Sequence, residues 1–304
     1  MTDKRKVVRA YQQVRSSADR VLDKSELIPI RRIYERETNG IARTLSRSAK
    51  ARSRSEAMPH LGNLVTVAKQ QVGTLGWKVG DQLARTSRLV YTEGYRSIAN
   101  VVGSIYGGSP LDEEARLSKL LSRRTLELDR LRQDSSDGMV LDMQGSIARK
   151  MKLAAIEEDA TVGDLIETAE SVVEAEAWRL ERLVRTETSF AFNQAAFDAL
   201  NELSGDPDFK GMYGRWTEMI NDITGRPFDN KVAKDSIALH GQLARPGKEF
   251  RMPPSADVGK YRDLAWLHPP NRCNDRAILV PWSRDFGIPG YILQGGRRVP
   301  FGGG

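Results

Sequence analysis

The stretch SGDPDFKGMYGRW, residues 204–216, marks the point at which the chain changes its pattern. Before it, apolar residues recur at spacings of three and four, which is typical of amphipathic helices. After it, proline and glycine become frequent, and short runs such as YGRWTEM and RAILVPW are typical of β-strands between turns. The sequence therefore predicts a mainly helical protein with a small C-terminal α+β unit.

The helical part is predicted to contain a long central helix over 165–203, because apolar residues line one face of that stretch. Such a helix favours an elongated molecule. The last 19 residues hold seven glycines, which indicates a tail that orders only against a partner. The predicted organisation is a basic N-terminal arm (1–60), a helical domain (61–204), a small α+β cap (205–282) and a glycine-rich tail (283–304).

The positive charge of the chain is concentrated at its start. The first 55 residues hold 15 Lys and Arg against 6 Asp and Glu, whereas the remainder holds 32 against 34. Such a basic arm favours a polyanion through counterion release, and nucleic acid is the commonest one. The alternative is a solvated, partly disordered terminus. The predicted contacts with DNA are Arg5, Lys6, Arg31, Arg32, Arg43, Arg47, Arg52 and Arg54.

Several classes of protein are disfavoured by what the sequence lacks. It has no apolar run long enough for a membrane span, and MTDKRKVVRA has no signal-peptide core, so we expect a cytoplasmic start. The single cysteine cannot form an intrachain disulfide. Phosphate loops, dinucleotide fingerprints and the common hydrolase motifs are absent as well. We therefore predict neither an enzyme nor a cofactor.

Residues 157–176 hold eight acidic side chains and no basic one. This acidic stretch could contact the basic arm of a neighbouring copy. A solvated helix face explains it equally simply, and we favour that interpretation.

The stretch HPPNRCNDR, residues 268–276, combines a histidine, two prolines and the only cysteine. A zinc site built from His240, His268 and Cys273 is chemically conceivable, because imidazole and thiolate are preferred zinc ligands. A Cys273–His268 nucleophile pair is a second possibility. The prolines and Asn271 instead favour a rigid corner that leads into a strand. We predict the corner, and no metal.

A second dense motif is RLVRTETSFAFNQA, residues 182–195, in which polar side chains lie beside a helical row of phenylalanines. Polar groups in such a place usually bond to the backbone of a docked subdomain. The motif therefore predicts where the α+β cap attaches.

In order along residues 182–282, these motifs resemble the Mu F-like family of phage minor head proteins, also called head morphogenesis proteins. An Arg-Thr-Glu-Thr helix is followed by an Asn, then an aromatic strand that ends in an Asp, a His before Gly, and a Pro-Pro-Asn-Cys run. The chain departs from the pattern in having Asp275 where a second cysteine is common, and in the insert GRPFDNKVAK. The matching residues are Arg185, Thr186, Glu187, Thr188, Asn193, Trp216, Asp222, His240, Gly241, Pro269, Pro270, Asn271 and Cys273.

The resemblance implies a minor structural protein of a tailed bacteriophage, present in several copies near the portal vertex inside the capsid. Its expected partners are the portal protein, the major capsid or scaffold protein, and packaged double-stranded DNA, with the host cytoplasm as the place of assembly. The residues expected to hold the cap on the long helix are Arg185, Glu187, Asn193, Trp216, Asp222, His240 and Cys273.

Two alternative functions belong to other classes of protein. One is a metal-dependent hydrolase built on Asp222, His240, His268 and Cys273, or a toxin-like transferase. The other is a nucleic-acid-binding scaffold unrelated to phages. Bound zinc would favour the hydrolase, and association with a portal would favour the minor head protein.

Overall fold

A computed structural model describes residues 3–21, 27–49, 56–107, 113–209, 211–220, 226–227, 234–254, 264–270 and 276–301. The helices are α1 (Lys4–Arg20), α2 (Leu27–Ser48), α3 (Leu61–Tyr106), α4 (Glu113–Ala155), α5 (Val162–Ala175), α6 (Ala177–Ser204) and α7 (Lys234–Leu239). The strands are β1 (Tyr213–Thr217), β2 (Leu243–Ala244), β3 (Phe250–Arg251), β4 (Ala265–Trp266), β5 (Ile278–Trp282), β6 (Tyr291–Gln294) and β7 (Arg297–Pro300). The prediction of a mainly helical fold with a small C-terminal α+β unit is confirmed, and the sheets of that unit are small and antiparallel.

The chain divides into two compact units, and neither is continuous in sequence. Unit 1 comprises Met1–Asp23, Ser87–Leu126 and Arg185–Gly304, and unit 2 comprises Lys24–Thr86 and Glu127–Val184. One boundary lies between α1 and α2, and the other three lie inside α3, α4 and α6. This division differs from the predicted succession of arm, helical domain, cap and tail, because each long helix supplies residues to both units.

Unit 2 is helical and is built on one apolar cluster. Its buried residues recur at spacings of three and four along each helix, as at Leu64, Ala68, Val72 and Leu75 of α3. The ring of Tyr34 in α2 is buried in the cluster as well, and its hydroxyl donates to a backbone carbonyl of α5. Apolar burial of this kind is the main favourable contribution to folding.

Helices α3 and α4 approach closely in unit 2, because glycines of α3 face α4. A Cβ added at Gly76 would lie 1.9 Å from Cγ2 of Val140, and the Ser136 hydroxyl donates to the Gly76 carbonyl at 2.6 Å. In unit 1, α3 meets α6 in the same way: a Cβ at Gly94 would lie 2.5 Å from the Phe192 carbonyl oxygen. Glycine therefore marks helix contacts here rather than helix ends.

Unit 1 contains a three-stranded antiparallel sheet in the order β2-β1-β5. Strand β5 is buried along its whole length, and Leu279 pairs with Trp216 of β1. Helix α1 packs against this sheet: the Tyr11 hydroxyl donates to the Pro281 carbonyl at 2.5 Å, and the Arg15 guanidinium donates to the Glu218 carbonyl at 2.5 Å. The beginning of the chain is thus tied to the C-terminal sheet.

The predicted basic arm over 1–60 is wrong for its described part. Helix α1 buries Val7, Ala10, Tyr11, Val14 and Ala18 in unit 1, and α2 buries an apolar face in unit 2. The charged residues lie between the apolar positions of these helices, so the high count of Arg and Lys hid two amphipathic patterns. Residues 50–55 lie outside the described part of the chain.

The predicted helix over 165–203 is interrupted at Glu176, where α5 ends and α6 begins. Neither Pro nor Gly stands at the break, so the apolar pattern could not locate it. Helix α5 has a strong start of its own, because the Thr161 hydroxyl and the Asp164 carboxylate cap each other's backbone amides. The backbone and hydroxyl groups of Thr161 lower the pKa of the Asp164 carboxyl.

The predicted glycine-rich tail is folded through Phe301. Strands β6 and β7 form an antiparallel hairpin in which Gln294 pairs with Arg297. The two residues between them, Gly295 and Gly296, both have positive φ, of 56° and 77°. A Gly-Gly pair in that conformation is typical of a two-residue hairpin turn, so these glycines specify a turn. Within the described residues, no helix is both long and apolar enough to cross a membrane.

Candidate functional site

Asn193 joins the helical and β parts of unit 1. It lies on α6 and is 1% exposed. Its amide nitrogen donates to the Ala277 carbonyl at 3.0 Å, and its amide oxygen accepts the Leu279 amide proton at 2.7 Å. One side chain thus satisfies both an acceptor and a donor at the start of β5, because an amide group carries a donor and an acceptor of its own.

Trp216 and His240 continue this joint beyond β5. The Trp216 ring is fully buried and packs edge-on against Phe250 at 5.3 Å, while its indole N–H donates to the Glu218 carboxylate at 2.9 Å. The Glu218 amide donates to Nδ1 of His240 at 3.2 Å, and the Gly241 amide donates to the Trp216 carbonyl at 2.9 Å. These contacts therefore link α6, the sheet and the turn after α7. We call this group the helix–sheet joint; its residues are Asn193, Trp216, Glu218 and His240.

The other residues expected at the joint are Arg185, Glu187, Asp222 and Cys273. Arg185 is exposed on α6, and Glu187 is half-buried on the same helix. Asp222 and Cys273 lie outside the described residues. The structure thus brings Asn193, Trp216 and His240 together, and Arg185 and Glu187 lie eight and six positions before Asn193 on the same helix.

His268 has different partners from His240. Its Nε2 contacts the Gln194 side-chain oxygen at 3.0 Å, and its Nδ1 contacts the Pro269 carbonyl at 2.5 Å. Both ring nitrogens therefore face protein oxygens, as expected for a residue that fixes a corner. In the described ranges, no three His, Cys, Asp or Glu side chains come together as a metal site.

A buried polar cluster around Asp198 was missed by sequence reasoning. The Arg124 guanidinium donates to both carboxylate oxygens at 2.9 and 3.0 Å, and the Tyr91 hydroxyl donates to one of them at 2.6 Å. Gln194, the partner of His268, donates to the other oxygen at 3.1 Å. Burial and the neighbouring carboxylate raise the pKa of Tyr91. The available signal was an acid inside the apolar run AAFDAL, residues 195–200.

The cations predicted to contact DNA are divided between the two units. Arg5 and Lys6 are exposed on α1 in unit 1. The side chains of Arg31, Arg32, Arg43 and Arg47 are exposed on α2 in unit 2, and Arg31 also pairs with Glu181. Arg52 and Arg54 lie outside the described residues.

On α2, arginines follow one another along one face. Arg32, Arg36, Arg43 and Arg47 are separated by four, seven and four residues, which are spacings that return to the same side of a helix. The predicted DNA contacts include three of these four arginines but not Arg36. This exposed row is a suitable surface for a polyanion.

A rigid turn in unit 1 presents two more cations. In Arg245-Pro-Gly-Lys248 the Lys248 amide donates to the Arg245 carbonyl at 2.9 Å, and Gly247 has a φ of 73°. Proline followed by a glycine with positive φ fits a type II β-turn, which holds its first and last residues within 7 Å of each other. Both cationic side chains belong to exposed residues.

These cations border an open basin of about 780 Å³ in unit 1. Two aromatic rings line it, Tyr213 and Phe301, with centroids 5.1 Å apart, and the Arg284 guanidinium lies 4.4 Å from the centroid of the Phe301 ring. Its remaining charged residues are Arg251, Glu249 and Asp285, of which Arg251 and Glu249 pair at 3.0 Å. The basin thus combines an excess of cations with flat rings.

Comparisons of the chain with models of known protein families, with curated proteins and with solved structures find no match. The function of the chain is therefore inferred from its residues and their contacts.

Proposed function

We propose that the chain is a minor head (head morphogenesis) protein of a tailed bacteriophage. It acts near the portal vertex inside the capsid and contacts the portal protein and packaged double-stranded DNA. The proposal joins the resemblance of residues 182–282 to the Mu F-like family with the contacts of those residues in unit 1.

The observation that carries this proposal is the packing of separate motifs on one another. The Asn that follows the Arg-Thr-Glu-Thr helix bonds to β5, the aromatic residue of β1 pairs with β5, and the histidine bonds beside that aromatic residue. A chance likeness of short motifs gives no reason for Asn193, Trp216 and His240 to meet in one joint. Their convergence supports a motif that specifies a common fold.

The distribution of charge supports the nucleic-acid part of the proposal. Exposed cations lie on α1 in unit 1 and on α2 in unit 2, which gives each unit its own basic helix face. Such faces bind the phosphate backbone without reading sequence, as a protein that handles packaged DNA requires.

The apolar surface of α4 supports the protein-contact part of the proposal. In unit 2, Leu141 and Leu153 of α4, and Ile156 directly after its last residue, are between 57% and 68% exposed. Leu153 and Ile156 line a cleft of about 550 Å³ together with Gly145, Ala148 and cations of the same helix. Exposed apolar patches of this kind mark protein interaction sites, and we assign this one to the portal.

Co-purification with a portal tests the proposal most directly. The full chain is co-expressed with the portal protein encoded in the same genome, and the mixture is separated by size exclusion. We expect the chain to elute with the portal oligomer, and the double variant Leu153→Asp, Ile156→Asp to elute separately. Leu126→Asp is the matched control, because Leu126 is 81% exposed on the same helix but belongs to unit 1. A chain that never elutes with the portal contradicts the proposal.

DNA binding provides the second test. Each phosphate contact with duplex DNA contributes about 0.9 to the slope of log affinity against log salt. Replacing Arg32, Arg43 and Arg47 with glutamine is therefore expected to flatten the slope by about 2 to 3. Replacing Arg5 and Lys6 tests the α1 face separately. Full-length protein with no salt-sensitive retention of DNA would rule out this contact.

A further inference from the structure

We infer that the basin in unit 1 binds an unpaired nucleotide, with its phosphate held by Arg245, Lys248 and Arg284 and its base against the rings of Tyr213 and Phe301. This inference rests on the nucleic-acid part of the proposed function, but it assigns a different surface and a different form of nucleic acid. The ligand chemistry is a phosphate ester joined to an aromatic base, supplied by a single strand or by a free nucleotide.

The backbone that carries the cations of the basin is held in place before any ligand binds. The type II turn keeps Arg245 and Lys248 side by side at the rim. Arg284 begins a short 3-10 helix, Arg284–Phe286, which Ser283 caps and Gly287 ends with a φ of 64°. Because the backbone at these positions is fixed by turns, the entropy lost on binding an anion is confined to the side chains.

The acidic residues of the basin do not cancel this charge. Glu249 is paired with Arg251, so its carboxylate is already neutralised by a neighbour. Asp285 is the other acid of the basin. Three further cations line the basin as well, namely Arg245, Lys248 and Arg284. The remaining excess of positive charge favours an anionic ligand over a neutral or cationic one.

The rings of the basin supply the second half of the recognition. Phe301 is fixed by its amide, which donates to the Gly290 carbonyl at 2.9 Å, and by edge-on contact with Tyr213. The Arg284 guanidinium lies over the Phe301 ring. Aromatic rings and guanidinium planes are the surfaces on which unpaired bases stack.

Size and geometry favour an unpaired base. A volume of about 780 Å³ lies within the range of small-ligand sites, roughly 300–1,000 Å³, and accommodates one or two nucleotides. In duplex DNA the bases are stacked inside the helix, so a duplex can offer the basin only its phosphates. A single strand can use the cations and the rings together.

Fluorescence anisotropy of the full chain with a labelled ten-residue oligothymidylate tests the inference. We expect the double variant Arg245→Ala, Lys248→Ala to bind about tenfold more weakly and to lower the salt slope by about 1.4, since each single-strand contact contributes about 0.7. The matched control is Lys119→Ala, Arg123→Ala, which removes two exposed cations of the same unit away from the basin. Its affinity should remain within about twofold of the unsubstituted chain, given the loss of only long-range attraction.

The role of the rings is tested by the ligand rather than by a core substitution. An oligomer of the same charge whose sugars carry no bases should bind at least about fivefold more weakly, because stacking is lost. Competition by thymidine monophosphate would identify a free nucleotide as a sufficient ligand, and its failure to compete would identify the strand. Both results support the site.

Three results would overturn the inference: equal binding by the Arg245, Lys248 variant, equal binding of the base-free oligomer, or a loss of duplex affinity in that variant as large as its loss of single-strand affinity. A thermal melt of each variant separates lost binding from lost folding, and Arg284→Gln is the alternative variant if the turn substitutions unfold. Failure here leaves portal association unaffected. A chain that binds the oligomer but never elutes with a portal contradicts the proposed function and leaves the basin assignment intact.

Discussion

Unit 2 and unit 1 are stabilised by different kinds of contact. Unit 2 is a set of helices around one apolar cluster, packed mainly by shape and volume, with few buried polar side chains such as Arg132 and Ser136. Unit 1 also buries apolar residues, but its elements are joined through buried polar side chains such as Asn193, Asp198 and Arg215. A buried polar group is costly unless it is paired, so unit 1 should tolerate far fewer changes of chemistry than unit 2.

The largest loss of stability is expected from Asp198→Ala, which leaves the Arg124 guanidinium and the Tyr91 hydroxyl without their shared acceptor. Removing one partner of a buried ion pair costs about 4 kcal/mol of unfolding free energy. Urea unfolding measures the loss, and hydrogen exchange should show it in the part of α3 that belongs to unit 1. Asp198→Asn, which keeps an acceptor for Tyr91, should lose less. A loss below about 1 kcal/mol would contradict a structural role for this cluster.

The second largest loss of stability is expected from a substitution in unit 1 that keeps the shape of the side chain and changes its chemistry. Asn193→Asp keeps the size of the side chain but removes the N–H that donates to the Ala277 carbonyl, and it buries a charge. We expect a loss of about 3 kcal/mol at neutral pH, measured by urea unfolding. Asn193→Ser is a smaller polar control. If Asn193→Asp melts like the unsubstituted chain, the joint is not held by this amide.

The close contact between α3 and α6 gives the third prediction. Gly94→Ala places a methyl group against the Phe192 carbonyl, a backbone atom that cannot move alone, and should cost about 2 kcal/mol. Gly138→Ala in α4 is the matched control, because nothing lies within 4 Å of its added Cβ. It should stabilise the helix by about 0.5–1 kcal/mol. Thermal melts of the two variants should therefore shift in opposite directions.

The smallest effect is expected from a conservative change in unit 2. Leu165 is fully buried, yet Leu165→Met conserves volume and should cost about 1 kcal/mol or less. Leu165→Ala, which leaves a cavity, should cost about 3 kcal/mol. Urea unfolding of both variants compares the two losses. If Leu165→Met and Leu165→Ala lost equal unfolding free energy, the apolar cluster would depend on more than volume. That result would contradict the difference drawn between unit 2 and unit 1.

The fold class was predictable because the spacing of apolar residues and the placement of turn-forming residues such as Pro and Gly are local properties of the sequence. The change at residues 204–216 located the first strand, and the strand RAILVPW was recognisable from its composition. The break at Glu176 was not predictable, since no helix-breaking residue stands there. The described part of the supposed arm was misjudged because charge was counted before the spacing of Val7, Ala10 and Val14 was considered.

The candidate sites were predictable only in part, because they depend on contacts between distant segments. Asn193 stood out as a polar residue among phenylalanines, and the structure shows what it bonds. Arg-Pro-Gly-Lys was recognisable as a turn, but nothing local indicates that Phe301 lies across the same basin. Arg245 and Phe301 are 56 residues apart in sequence and are brought together by the sheet. The packing of that sheet depends on contacts between distant segments, which no local pattern reveals.

The attachment of α1 to the C-terminal sheet has a consequence for biosynthesis. Every residue of unit 2 has been synthesised once Val184 is added, whereas Tyr11 must wait for Pro281, 270 positions later. Until then the apolar face of α1 is unprotected, and contacts between segments so far apart in sequence form slowly. Translation that stops before residue 278 therefore yields a chain in which the apolar face of α1 stays exposed. Such a chain is a natural substrate for chaperones and proteases.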